Sequence, residues 1–135
     1  MAIIHTDGAC SGNPGKMGIG AVIEEKENGM VLLEISEAIG HGTNNIAEYT
    51  ALIRALEEAK KIGIKKAIVR SDSQLLIRQM TGEYKIKAPH LRELWRKANR
   101  AAEGMEIRYE HVPREENVHA DELSKKAMSG TTHRS

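Results

Sequence analysis

The sequence predicts an α/β protein, a mixed five-stranded sheet with helices packed on it in the order βββαβααβα. Three observations lead there. The first third carries three short apolar runs separated by Gly- and Asn-containing turns. The remainder alternates helical spacing with two further short apolar runs. A chain of 135 residues, 40% hydrophobic and 29% charged, fits one domain that can bury a core and leaves no room for two.

Residues 2–6 read as the first strand, ending just before Asp7 and a Gly-rich turn. Strands at 19–25 and 31–38 follow, and Asn28-Gly29 between them is a hairpin signal. Residues 45–62 read as a helix because Leu52, Ala55, Leu56, Ala59 and Ile62 recur at helical spacing. A short apolar strand at 66–71 and a short helix at 73–80 come next. Pro89 opens a helix whose apolar face is Leu91, Leu94, Trp95, Ala98 and Ala102. Residues 106–112 read as the fifth strand and 117–128 as the last helix. The expected domain is therefore 1–128, followed by a polar tail at 129–135.

Composition excludes several classes. With 20 basic against 19 acidic residues the net charge is +1, so no global field draws the chain to a polyanion. Tyr49, Tyr84, Trp95 and Tyr109 are the only aromatics, too few for a surface that stacks single-stranded bases. The single Cys10 forms neither an internal disulfide nor half of a zinc site. No apolar run approaches the ~20 residues of a membrane span. The opening MAIIHTDGAC lacks the pattern of a secretory signal, so the expected location is cytoplasmic. Gly15-Lys16 does not complete a phosphate loop, because Cys10 stands where the first Gly is needed and Met17 where Ser or Thr is needed.

Four acids carry the functional question. Asp7 ends the first strand and Asp72 the fourth, and ligands of open α/β sheets bind beyond the carboxyl ends of strands. Each also reads as an ordinary turn or helix cap. Glu48 shares the inner stripe of Leu52, Ala55, Leu56 and Ala59, or else completes a capping box with Asn45. Asp121 sits on the first turn of the last helix, where a surface acid is favoured by the helix dipole in any case. If they converge, two carboxylates ~5 Å apart repel by about 3 kcal/mol at an effective dielectric near ~20. Four together need protonation or a bound cation. An all-oxygen set suits Mg²⁺ or Mn²⁺ rather than Zn²⁺.

Four blocks of sequence resemble one family. Thr6-Asp7-Gly8-Ala9-Cys10-Ser11-Gly12-Asn13-Pro14-Gly15, Thr43-Asn44-Asn45-Ile46-Ala47-Glu48, Ser71-Asp72-Ser73-Gln74 and Asn117-Val118-His119-Ala120-Asp121-Glu122-Leu123 are similar, in order, to the motifs of type 1 ribonuclease H. The resemblance spans roughly residues 3–128. It implies the ribonuclease H-like fold, with the second strand antiparallel to its neighbours. It implies that Asp7, Glu48, Asp72 and Asp121 are both the catalytic and the metal-binding set, holding two Mg²⁺ ions in the substrate complex, with Mn²⁺ able to substitute. The implied activity is two-metal endonucleolytic hydrolysis of the RNA strand of an RNA–DNA hybrid, giving 5′-phosphate and 3′-hydroxyl ends. By the same resemblance, Asn13 and Thr43 approach DNA-strand phosphate, and Asn44, Asn45 and Gln74 lie along the minor groove. Gly8, Gly12 and Gly15 allow close backbone approach. These Asn and Gly residues also read simply as turn builders. The implied partner is the hybrid duplex, or double-stranded RNA as well, bound by a monomer without a membrane. The alternative is a module of the same fold that binds such duplexes with weak or no cleavage.

Two departures mark a compact, archaeal-like form. The segment 82–88 is short, so the basic insertion of many bacterial members is missing. Lys85, Lys87, Arg92, Arg96 and Arg100 remain, either a phosphate-tracking stripe or a solvated helix face. The loop that carries a catalytic His in many members is the shorter 112–117 here. His111 falls on the strand and His119 on the helix. Arg114, His119 and Asn117 are therefore the candidate auxiliary residues, with structural or surface roles as the alternative.

Overall fold

The computed structural model describes residues 1–129, so the expected tail at 129–135 lies, after Ser129, outside the described residues. The strands are β1 (Ala2–Gly12), β2 (Gly15–Glu25), β3 (Val31–Gly42), β4 (Lys66–Ser71) and β5 (Glu106–His111). The helices are α1 (Asn44–Lys61), α2 (Gln74–Met80), α3 (Pro89–Ala101) and α4 (Val118–Met128), with a 3₁₀ turn at Arg114–Glu116 before α4. One sheet runs in the order β3-β2-β1-β4-β5. β2 is antiparallel to β1 and β3, while β4 is parallel to β1 and β5. Both the element order and the antiparallel second strand are those expected from the sequence.

Strand alternation sorts the two faces. Ile4, Ile19 and Ile23 point to one side and join Leu52, Leu56 and Ala59 of α1 in the main core, all fully buried. His5 and Asp7 point to the other side, where Asn117 and Ser124 meet them as α4 crosses β1 and β2. Glycine decides how closely each helix approaches. A Cβ at Gly18 or Gly20 of β2 would run into the backbone of Ala120, Ser124 or Met128. A Cβ at Gly8 of β1 would run into the backbone of Ala47 and Glu48. Side chains at these points would lift α4 and the start of α1 off the sheet.

The first hairpin is longer than sequence spacing suggests. β1 does not stop at residue 6; it continues through Asp7 and the Gly-rich segment to Gly12, paired residue for residue with β2 as far as Gly12↔Gly15. The glycines that look like a turn are the arms of the hairpin, held by a ladder that propensity cannot reveal. β3 likewise extends to Gly42 against Lys16 and Gly15. The Asn28-Gly29 signal does mark a hairpin, but its loop spans 26–30, closed by Glu25 N–H on Met30 O and Gly29 N–H on Glu25 O. The other boundaries move by a residue or two. α1 starts at Asn44 because Thr43 caps it, and α2 at Gln74 because Ser73 does.

Candidate active site

The site forms where β1 outruns β4. Their parallel pairing ends at His5↔Arg70. Two residues on, Asp7 stands opposite Gly20 of β2. Asp72 directly follows β4, Glu48 starts the second turn of α1, and Asp121 is on the first turn of α4. One carboxylate oxygen from each of Asp7, Glu48 and Asp72 lies within 4.8 Å of the other two. Asp7 and Glu48 are nearly sealed from water, 6% and 9% exposed. Asp121 stands at the rim, 3.0 Å from Lys125 Nζ and 3.9 Å from Arg114.

The local alternatives for these acids are occupied by other residues. Thr43 caps α1 by accepting from Ile46 N–H, so Asn45 and Glu48 form no capping box. Glu48 instead accepts the backbone N–H of Gly8, tying α1 to β1. Ser73, not Asp72, caps α2 by accepting from Leu76 N–H. Asp7 lies within a strand and caps no turn.

Burial and mutual repulsion shape the electrostatics. The Asp7 carboxyl is pushed up to about 7, first by burial, then by the negative charges of Asp72 and Asp121, with the Ser124 hydroxyl opposing. Glu48 is held well above the ordinary carboxylate range by burial and by Asp7, with the Gly8 N–H opposing. Asp72 is raised by burial and by Asp121, with Arg114 opposing. Clustered carboxylates that resist ionisation lose that resistance when a cation joins them. The donors are all carboxylate oxygens, the set that hard divalent ions prefer. The residues therefore fit such an ion.

The other expected residues divide. Gly8, Asn44 and Asn45 line the same cleft, of about 580 Å³, as do Arg114 and His111. Asn13, Thr43 and Gln74 do not line it. Asn13 accepts the Asn44 N–H at 3.2 Å, Thr43 caps α1, and Gln74 opens α2. His119 faces away from the carboxylates and pairs with Glu34 of β3. Asn117, 1% exposed, donates to the Thr6 carbonyl at 2.9 Å and meets His5 Nδ1 at 3.3 Å, fastening the start of α4 beside Asp7. Arg92 donates to Ile86 O and Arg96 pairs with Glu93, while Arg100 lines a separate groove between α1 and α3.

Sequence reading passes over Ser124 and Lys125. Ser124 is fully buried and its hydroxyl lies 2.7 Å from Asp7 Oδ2 and 2.8 Å from the Asp121 carbonyl. The available signal is a hydroxyl on an inner face otherwise made of Ala120 and Ala127. For Lys125 the signal is its spacing of four from Asp121.

Residues 5–127 match a family described as reverse transcriptase-like. A bifunctional protein of Mycobacterium tuberculosis is 44% identical over 127 residues, covering 93% of this chain and 35% of that protein. The chain thus spans about a third of the length of the mycobacterial relatives it matches. A ribonuclease H of Aromatoleum aromaticum is 36% identical over 140 residues, covering 93% of this chain and 88% of that one. Among solved structures, the RNase H1 called LC11, in complex with an RNA/DNA hybrid, superposes with a TM-score of 0.91 at 44% identity, covering 96% of this chain and 98% of that one.

Proposed function

This chain belongs to the type 1 ribonuclease H family, and we propose that it cleaves the RNA strand of RNA–DNA hybrids endonucleolytically, leaving 5′-phosphate and 3′-hydroxyl ends. One observation carries the reading: three carboxylates from three elements within 4.8 Å of one another, two of them nearly sealed from water. Binding a polyanion calls for no such concentration of negative charge, whereas phosphodiester hydrolysis assisted by divalent cations does. In this reading residues 1–128 form the catalytic unit and act as a monomer in the cytoplasm.

Asp7, Glu48, Asp72 and Asp121 hold the cations, which we take to be Mg²⁺, with Mn²⁺ as a substitute. When bound, two such ions supply activation of the attacking water and charge that meets the departing 3′-oxygen. The chain's own residues do the rest. Gly8 N–H fixes the Glu48 carboxylate, and Asn117 fixes α4 and with it Asp121. Asn44 and Asn45, exposed on the cleft wall, read the minor groove and the 2′-hydroxyl that separates RNA from DNA. Asn13, Thr43 and Gln74 contact the duplex outside the cleft. Arg114, on the cleft wall and 70% exposed, is the auxiliary cation that faces the phosphate. His119 is not, because it is engaged with Glu34.

The test uses end-labelled RNA–DNA hybrid, double-stranded RNA and double-stranded DNA of one sequence, each with Mg²⁺ or Mn²⁺. Cutting of the hybrid's RNA strand, with 5′-phosphate ends, is the expected result. Cutting of double-stranded RNA as well would show relaxed discrimination. A hybrid that shifts in a binding gel but stays intact would replace the enzyme with a binding module.

A further inference from the structure

We propose that Ser124 is a positioning residue for the metal site: its hydroxyl fixes the rotation of the Asp7 carboxylate and so sets how tightly the site holds a divalent cation. This rests on the reading of Asp7 as a metal ligand. Ser124 Oγ lies 2.7 Å from Asp7 Oδ2, and the side chain is fully buried. The hydroxyl has one proton and a second acceptor within reach, the Asp121 carbonyl at 2.8 Å. It can donate to only one of them. An ionised carboxylate is the stronger acceptor, so with Asp7 charged the proton goes to Oδ2. One side of Asp7 is then held, and the carboxylate is presented to Glu48 and Asp72 in one orientation.

The surroundings make this contact specific. Ser124 reaches Asp7 only because Gly20, directly opposite Asp7, has no Cβ to hold the Ser124 backbone away. The neighbouring inward positions of α4, Ala120 and Ala127, offer no hydrogen bond. Ser124 also sits three residues after Asp121 on the same helix, so a single residue touches the side chain of one acid and the backbone of another. Groups that orient a ligand from behind in this way typically change metal affinity by about 10–100-fold when removed.

The experiment is Mn²⁺ titration calorimetry on the full chain as wild type, Ser124→Ala and Ser36→Ala, with thermal melting and Mn²⁺-dependent hybrid cleavage alongside. Ser36 is the matched control: it too fastens α4 to the sheet, donating to the Leu123 carbonyl at 2.7 Å, but it touches no carboxylate. Alanine is the best helix former, so Ser124→Ala retains α4. The expected result is roughly tenfold weaker Mn²⁺ binding in Ser124→Ala, with cleavage recovered at saturating Mn²⁺, and wild-type affinity in Ser36→Ala. Ser124→Ala affinity within about twofold of wild type would overturn the proposal while leaving the metal site standing. Equal weakening in both variants would also overturn it, because loosened α4 packing would then be the cause. A wild-type chain that binds no Mn²⁺ would overturn the metal reading itself, and this proposal with it.

Discussion

At the scale of single residues, Asp7 ties stability to function. Its carboxyl titrates near 7 in the metal-free fold against 3.8 for an ordinary Asp, so between those values the native state holds a proton that the unfolded chain has lost. Stability therefore falls as pH rises from about 4 to 7 and levels off above. Glu48 and Asp72 are shifted in the same direction and add to the slope. Asp7→Asn should raise metal-free stability at pH 8 by up to about 4 kcal/mol, the equivalent of roughly three pKa units, and the gain should shrink towards pH 5. Melting curves without divalent ions check this, and a stability difference independent of pH would contradict it. Arg114→Ala should lower hybrid turnover by about tenfold, less than the ~10²–10³-fold of deleting a buried electrostatic stabiliser because Arg114 is largely exposed, whereas His119→Ala should leave turnover unchanged. The exposed His119–Glu34 pair contributes at most about 1 kcal/mol. Steady-state kinetics at saturating Mg²⁺ separate the two. The four acids were legible in the sequence because each sits in a block of recognisable residues. Ser124 was not, because a lone Ser on a helix becomes informative only when the residue across from it is known.

At the scale of elements, the close approach of α4 to β2 carries the site. Gly20→Ala puts a methyl into the backbone of Ala120 and Ser124 and should destabilise the fold by about 1–3 kcal/mol. Because α4 bears Asp121 and Ser124, the same change should weaken divalent-ion binding, and denaturant melts with and without Mn²⁺ measure both. A folded Gly20→Ala variant with wild-type ion affinity would show that helix placement does not set the site. Neutralising Arg92, Arg96 and Arg100 of α3 together should weaken hybrid binding and flatten its salt dependence. An unchanged slope of affinity against salt would make α3 an ordinary solvated face. The helices were largely legible, since α1 and α3 carry clear apolar stripes. The long first hairpin was not. Its Gly-rich arms resemble a turn locally and become strand only through pairing across the full length of β2.

At the scale of the whole molecule, a near-neutral chain concentrates negative charge at one end of its sheet, where β1 outruns β4 and the starts of α1 and α4 converge. The element order implied a mixed sheet with helices packed on it, and the family resemblance added the antiparallel second strand. What the order could not supply was the depth of the cluster. That depends on three glycines, Gly8, Gly18 and Gly20, whose missing side chains let two helices close on one strand pair. The reaction proposed for this cluster is hydrolysis of the RNA strand of a hybrid with divalent ions. Its most direct test is the cleavage rate of end-labelled hybrid in Mg²⁺ by wild type and by Asp7→Asn, with folding of both confirmed. Loss of at least ~10²–10³-fold in the variant, comparable to deleting one electrostatic stabiliser elsewhere, is the expected result. Retention of most of the rate by Asp7→Asn would contradict it.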